Sequence, residues 1–315
     1  MAEISPIKYS KELQKQIFPD NSFYKHSISE TGVADTVKTV ERPVQGKLNK
    51  AKSGQPSSLP LQIQVARDDS DSYSTDLVYA DPIAVDLPGE FALNYNKRAT
   101  KQAQQAATIN ERVANIAAVN WGPTESTNIL KTTGASRASN VVVTAGGVIA
   151  NRKAVTKADM IKVHNLLMRM NVSGIPGKLF ALVSADFYSD LLSIAEFTDY
   201  EKTGQMTKLE QGILGRIMGI EIMTRSTDDQ HTGLLYTTAA AKKAIDSAVI
   251  ATDCPAALFW HDKMTASAEG VLKTSVNANA PGFLGATIIE SWTRFGASWA
   301  RKDQKGVVAL LEDNA

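Results

Sequence analysis

Over the first 44 positions the apolar residues follow no sustained period: Tyr9, Phe18, Phe23 and Tyr24 are scattered through polar sequence, and only residues 10–17 suggest a short helix. Such a stretch has too little apolar surface to fold alone, yet more aromatics than a solvated tail, so it predicts an arm that becomes ordered against something. Residues 46–60 are basic, then rich in Gly, Ser and Pro, and lead into LQIQVAR, where Leu61, Ile63 and Val65 alternate with Gln62, Gln64 and Ala66. That is the period of a strand with one apolar face. An acidic, serine-rich bend at 68–76 precedes a second extended run, LVYADPIAV, interrupted by Pro82. The pair predicts a long two-stranded excursion, and because an isolated hairpin is marginal in water it should lie on another surface, its own domain's or a neighbour's.

The first strong helical period comes only at 95–121, where Ala99, Ala103, Ala106, Ile109 or Asn110, Val113, Ile116 or Ala117, and Asn120 recur at spacings of 3 and 4. At ~1.5 Å per residue this helix would reach about 39 Å. Its alanine face permits close approach to a sheet or another helix, Val119 and Trp121 bring bulk at its end, and Gly122-Pro123 stops it. An ordinary long core helix would show the same pattern. After a Ser, Thr and Gly linker at 124–140, NVVVTAGGV predicts a strand and turn. Thr156 and Asp159 form a variant capping box before KADMIKVHNLLMRM, and Gly174 should terminate that helix. KLFALVS reads as a buried strand, Ser184 as the cap of ADFYSDLLSIA, and GILGRIMGIEIMTRS and AALFWHDKMTASAE as extended runs. The closing segment holds two strand-like runs split by RKDQKG, which resembles a hairpin turn. The fold class is therefore α+β, with helices and strands interleaved in the second half and no fixed repeat.

Composition changes this picture little. At 315 residues, 43% hydrophobic and 21% charged, the chain can build a sizeable core. The 34 Lys and Arg nearly cancel the 33 Asp and Glu, so total charge advertises neither nucleic acid nor membrane. The lone Cys254 excludes an internal disulfide and fits a reducing compartment during synthesis. The polar N-terminus carries no readable export signal, and no apolar run approaches the roughly 20 residues that span a bilayer.

Motifs for chemistry are missing. GIPGKL has a Gly-Lys pair, but Leu179 stands where a phosphate loop needs Ser or Thr. His26, His164, His231 and His261 show no metal-binding spacing, and no second cysteine joins Cys254. There is no G-x-S-x-G, and neighbours His261 and Asp262 would project to opposite faces of a strand. His164 sits within an amphipathic helix and reads as a satisfied structural histidine. Asp68, Asp69 and Asp71 lack the glycine and terminal glutamate of a calcium loop and read as a solvated turn. Asn171-Val172-Ser173 matches a glycosylation acceptor but has no export signal to give it meaning. Lys97, Arg98 and Lys101 have no interleaved aromatics and share their helix with Glu111 and Arg112, the pattern of a solvated or salt-bridged face. No catalytic residue, cofactor or metal site is expected.

The order of parts (polar arm, hairpin excursion, delayed long helix, α+β half) resembles the major capsid proteins of tailed bacteriophages with the HK97-type fold. The resemblance is strongest in VARDDSDSYSTDLVYADPIAV and LNYNKRATKQAQQAATINERVANIAAVNW. It continues through KLFALVSADFYSDLL, GRIMGIEIMTRS and TRFGASWARKDQKGVVAL. It implies an N-terminal arm at 1–44, an extended loop (E-loop) at 45–88, and a peripheral domain with its spine helix at 89–122. A mainly axial domain at 123–290 and C-terminal strands returning to the peripheral domain at 291–315 complete the layout.

Arm and loop lie over neighbouring subunits in that family. The resemblance thus makes Tyr9, Phe18, Phe23, Tyr24, Leu61, Ile63 and Val65 interface residues, and Gly46, Gly54 and Pro56 the loop's hinge. Ala99, Ala103, Ala106, Val113 and Trp121 become the spine helix. The implied function is a structural, non-enzymatic subunit that self-assembles as pentamers and hexamers into an icosahedral virion head enclosing double-stranded DNA, without sequence-specific contacts and without a membrane. The implied partners are a separate scaffolding protein, a portal and decoration proteins. Lys47, Lys50 and Lys52 lie where some members form covalent cross-links, but no matching carboxylate or acceptor asparagine accompanies them. An encapsulin-type compartment shell is the nearest alternative, and a soluble α+β enzyme the third.

Overall fold

The computed structural model describes residues 21–30, 38–45, 53–54, 68–85, 97–144, 146–194, 215–278 and 286–315. Strands β1 (Ile28–Ser29), β2 (Thr39–Val44), β3 (Asp69–Ser74) and β4 (Asp76–Val85) precede helix α1 (Lys97–Trp121). Short strands β5 (Ile129–Lys131), β6 (Ser136–Arg137), β7 (Val142–Val143), β8 (Gly147–Val148) and β9 (Arg152–Lys153) lead to helix α2 (Lys157–Arg169). Strand β10 (Leu179–Val183) and helix α3 (Ala185–Ser193) follow, then β11 (Arg216–Ile217), β12 (Ile220–Thr224), β13 (Leu235–Tyr236), β14 (Cys254–His261), β15 (Thr265–Glu269), β16 (Lys273–Asn277), β17 (Thr287–Trp299) and β18 (Val307–Leu311). The fold is mixed α+β.

Two sheets organise these elements. In the first, β17 is central, with β4 antiparallel along one side, β15 and β16 antiparallel along the other, and β1 parallel beyond β15. The second runs β11-β12-β10-β14-β18-β5, with β13 also on β14. Strands β14 (CPAALFWH) and β18 (VVALL) are buried at every position, because both faces of this sheet are covered. Alternation along them feeds two cores. Leu258, Trp260, Val307, Ala309 and Leu311 join Trp121 and the other buried residues of α1. Ala257, Phe259, Val308 and Leu310 join Met160, Val163 and Leu167 of α2 and Phe187 and Leu191 of α3.

Helix α1 buries Gln105, Ile109, Val113, Ala114, Ala117, Ala118 and Trp121 along one stripe. Of the spine residues named from sequence, Val113 and Trp121 lie in that stripe and Ala106 is half-buried, whereas Ala99 and Ala103 are exposed. The helix's sheet contact begins one turn later, at Gln105. There β4 and β17 shift register between Ile289 and Ser291, opposite Asp81 and Pro82. Pro82 has no N–H to give the ladder, and the Gln105 amide donates at 3.0 Å to the carbonyls of both Asp81 and Ile289 while accepting from Ser291 Oγ at 3.0 Å. The helix ends as expected: Gly122 N–H donates to the Ala118 carbonyl at 3.1 Å, ahead of Pro123.

The Thr156/Asp159 capping box and the Ser184 cap are both formed. Helix α2 nevertheless stops at Arg169, before Gly174, because Asn171 takes the left-handed conformation (φ 60°) that glycine was expected to supply.

Three further expectations are corrected. The serine-rich segment at 68–76 is no bend: Asp69–Ser74 forms β3 and pairs antiparallel with β2, Thr39 opposite Ser74 and Val44 opposite Asp69. The run Leu77 to Val85 is no part of an excursion either: among the described residues it belongs to the first sheet, aligned on β17. RKDQKG closes no hairpin either. It carries the chain from β17 in one sheet to β18 in the other, so the last strand lies between β14 and β5 rather than beside β17.

Candidate interaction surfaces

The two-stranded ladder β2–β3 pairs with neither sheet but packs on the first, Val40 and Tyr73 against Ala268 of β15, and a polar knot fastens it there. Arg42 Nε donates to both Glu30 oxygens at 2.8 and 3.1 Å, and Arg42 Nη1 donates to the Trp299 carbonyl at 2.7 Å. The guanidinium lies 4.5 Å from the Tyr73 ring centroid, and Tyr73 Oη donates to Glu30 at 2.6 Å. Burial, followed by the Glu30 hydrogen bond and charge, pushes the Tyr73 phenol well above its usual pKa. Burial works against the Arg42 charge, but Glu30 outweighs it and the net shift is upward.

On the other strand Lys302 Nζ donates to the Ser70 carbonyl at 3.1 Å and sits 3.7 Å from Asp71. Close packing completes the foot: a side chain at Gly296 would meet the Ser74 carbonyl at 2.7 Å. This ladder brackets the segment in which sequence placed the adhesive strand. Leu61, Ile63, Val65, Gly46 and Pro56 lie outside the described residues, as do Tyr9 and Phe18; Gly54 is described and adopts φ 99°, a conformation that favours glycine.

Phe23 and Tyr24 are not surface residues. Phe23 is 1% exposed and meets Trp121 and Trp260 edge-on at 6.1 and 6.2 Å, while Tyr24 packs on Phe295 and donates to Glu269 at 3.2 Å. The correction has a physical cause, since aromatics flanked by polar residues look like a free arm until their core partners, some 100 to 270 positions later, are known. Arg225 fastens the same segment by donating to Asn21 Oδ1 at 3.1 Å, Asn115 Oδ1 at 2.7 Å and the Thr232 carbonyl at 2.6 Å. Burial lowers its pKa to about 10.

A groove of mixed polar and apolar lining runs between β4 and α1. Leu77 (53% exposed) and Tyr79 (67% exposed) form one wall, with Arg112, Ile116, Asn120 and Ile245 opposite. Arg112 is tied to Asp246, which holds the groove's charged rim in place.

His261 and Asp262 do approach, Nδ1 to Oδ1 at 3.0 Å, contrary to the expected opposite faces, because the chain leaves β14 at His261. The same Nδ1 accepts the Lys263 N–H at 3.2 Å. Burial, then Arg225, lowers the His231 pKa to about 4, so that buried imidazole is neutral. Cys254 is buried, and burial raises its thiol pKa. Among the described residues no cluster of three or more His, Cys, Asp or Glu could hold a metal ion, and no helix is long and apolar enough to cross a membrane.

The sequence matches no protein-family model and no curated protein. Its structure is similar over nearly the whole chain to solved capsid structures of phages. The capsid of cyanophage P-SCSP1u gives a TM-score of 0.69 at 13% identity, covering 99% of this chain and 94% of that one. The capsid of cyanophage Pam1 gives 0.66 at 11% identity over 99% and 98%. A structure of Mycobacterium phage Che8 gives 0.66 at 14% identity over 98% of each chain. The fold is thus the one used by these capsids.

Proposed function

We propose that this chain is the major capsid protein of a tailed bacteriophage: a structural subunit, not an enzyme, that self-assembles into the icosahedral shell of the virion around double-stranded DNA. The observation that carries this reading is similarity to phage capsid structures spanning both chains almost end to end. The ladder β2–β3, hydrogen-bonded as a ladder to neither sheet but packed through Val40 and Tyr73 on Ala268 of the first, supports the same reading as the base of an extended loop. Its strands span 39–74, so the loop begins within the segment first assigned to the arm. Residues 1–20 and the loop between the strands then reach neighbouring subunits, with Leu61, Ile63 and Val65 as the adhesive face and Gly46, Gly54 and Pro56 letting the loop angle vary between pentamers and hexamers. The first sheet with α1 serves as the peripheral unit and the second with α2 and α3 as the axial one. A separate scaffolding protein, a portal and decoration proteins complete the head. Near-neutral charge suits a wall that encloses DNA without adhering to it.

Mutation of the adhesive strand tests the reading. Co-expressed with its scaffolding protein, the wild-type chain should sediment as closed shells. Ile63→Asp should give a soluble, folded subunit that stays at the top of the gradient, since a buried charge without a partner opposes association. Normal shells from the variant would remove the role given to this strand, and a wild type that never forms shells would remove the capsid reading itself.

A further inference from the structure

Far from the ladder, Arg137 of β6 is surrounded by three carboxylates from two other parts of the chain. Its Nε donates to both Asp190 oxygens at 2.8 Å, its Nη2 to Glu312 at 2.7 Å, and its Nη1 lies 3.6 Å from Asp186. Glu312 is 1% exposed, Asp190 8% and Asp186 9%.

We propose that this cluster holds a proton at neutral pH and works as a proton-operated clasp, fastening the C-terminal tail and the 134–155 segment to α3 at low pH and loosening them as the proton leaves. One guanidinium cannot neutralise three buried carboxylates, and an uncompensated buried charge is costly enough that a group protonates instead.

The hydrogen bonds indicate which one. Asp186 accepts the Asn140 backbone N–H at 2.7 Å and its Nδ2 at 2.6 Å, and Asp190 accepts the Val155 N–H at 3.1 Å besides both Arg137 bonds. Both aspartates are thus met by N–H donors from the 134–155 segment. Glu312 has Arg137 and the Ser184 hydroxyl, at 3.2 Å, which can either donate to a carboxylate or accept from a carboxylic acid. Burial, opposed by Arg137 and reinforced by Asp186 and Asp190, raises its pKa to about 7. The other charges near this end of the chain are the buried Arg152, which donates to the carbonyls of Ala251 and Asp253 and also feels the Glu312 charge, and Asp313, paired with Lys131 and Lys153.

The cluster is where the two fastened parts meet. β6 pairs with β9, Lys153 N–H donates to the Asp313 carbonyl at 2.9 Å, and Ala315 N–H to that of Asn151 at 3.3 Å. When Glu312 loses its proton to solvent, the cluster gains a buried negative charge against α3, and the tail and the β6–β9 segment share the resulting repulsion. The clasp belongs to the single chain and does not depend on shell formation.

A carboxyl whose pKa is higher folded than unfolded contributes stability in full below the unfolded value and loses it as pH rises through the folded one. Urea denaturation of the wild-type chain from pH 5 to 9 should therefore show an unfolding constant that grows, from this group alone, by roughly tenfold per pH unit between about pH 5 and 7. Glu312→Gln, which keeps shape and neutrality, should lack that component; parallel pH profiles for the two proteins would overturn the proposal. Should the variant not fold, infrared spectroscopy of the wild type still decides. A protonated-carboxyl C=O band should be present at pH 6, where exposed carboxylates are ionised, and gone at pH 9, whereas no such band at pH 6 would overturn the clasp.

Discussion

At the foot of the ladder, Arg42 joins three separate stretches of chain: the carboxylate of Glu30, the ring of Tyr73 and the carbonyl of Trp299. Replacing it by alanine leaves Glu30 partly buried with Tyr73 as a remaining partner, a change that should cost about 2–4 kcal/mol in urea denaturation. The ladder should also become the first site cut by protease; unchanged cleavage between 38 and 75 would show that backbone pairing alone holds it. Trp121 is a second such point, fully buried, donating to the Ala266 carbonyl at 3.1 Å and accepting from Trp299 Nε1 at 2.7 Å. Trp121→Ala should cost about 3–5 kcal/mol, read as a lower urea midpoint. Sequence marked Trp121 through its bulk at the end of an alanine-rich helix. It passed over Arg42, Arg137, Arg152 and Arg225, because an arginine whose partners are distant carbonyls and carboxylates looks like any other surface cation.

Among elements, those governed by local chemistry were legible. The α1 stop at Gly122-Pro123, the Thr156/Asp159 box and the Ser184 cap each depend on residues within a few positions, and each is present. Register and partner were not, since they depend on segments far away. DSDSYS has the composition of a turn, yet as β3 it is paired along its length with β2 and needs no apolar face of its own. The exposed start of α1 shows the same limit: Ala99 and Ala103 fit the helical period, but where the sheet ends decides which turns are covered. Gln105 is a polar residue that period analysis assigns to solvent, and the bulge at Asp81-Pro82 is what gives it buried partners. Gln105→Leu should therefore destabilise by about 1–3 kcal/mol despite added apolarity, as two carbonyls and the Ser291 hydroxyl lose their partner; a neutral or higher urea midpoint would contradict that assignment.

For the whole molecule, the α+β class could be read from the chain, and the fold it shares with phage capsid structures covers 98–99% of its length. Which sheet each closing strand joins was harder to read, because RKDQKG takes the chain between sheets where its composition suggests a simple turn. What the single chain leaves exposed, the Leu77 and Tyr79 wall above all, is what a subunit of a closed shell would cover. Interfaces of modest area suffice when every copy makes several of them. Sedimentation velocity of the purified chain, paired with negative-stain microscopy and run with and without its scaffolding protein, tests this most directly. Pentamers, hexamers, tubes or shells are predicted, with DNA rather than cargo protein inside filled particles. A sharp monomer or dimer under both conditions would contradict the account.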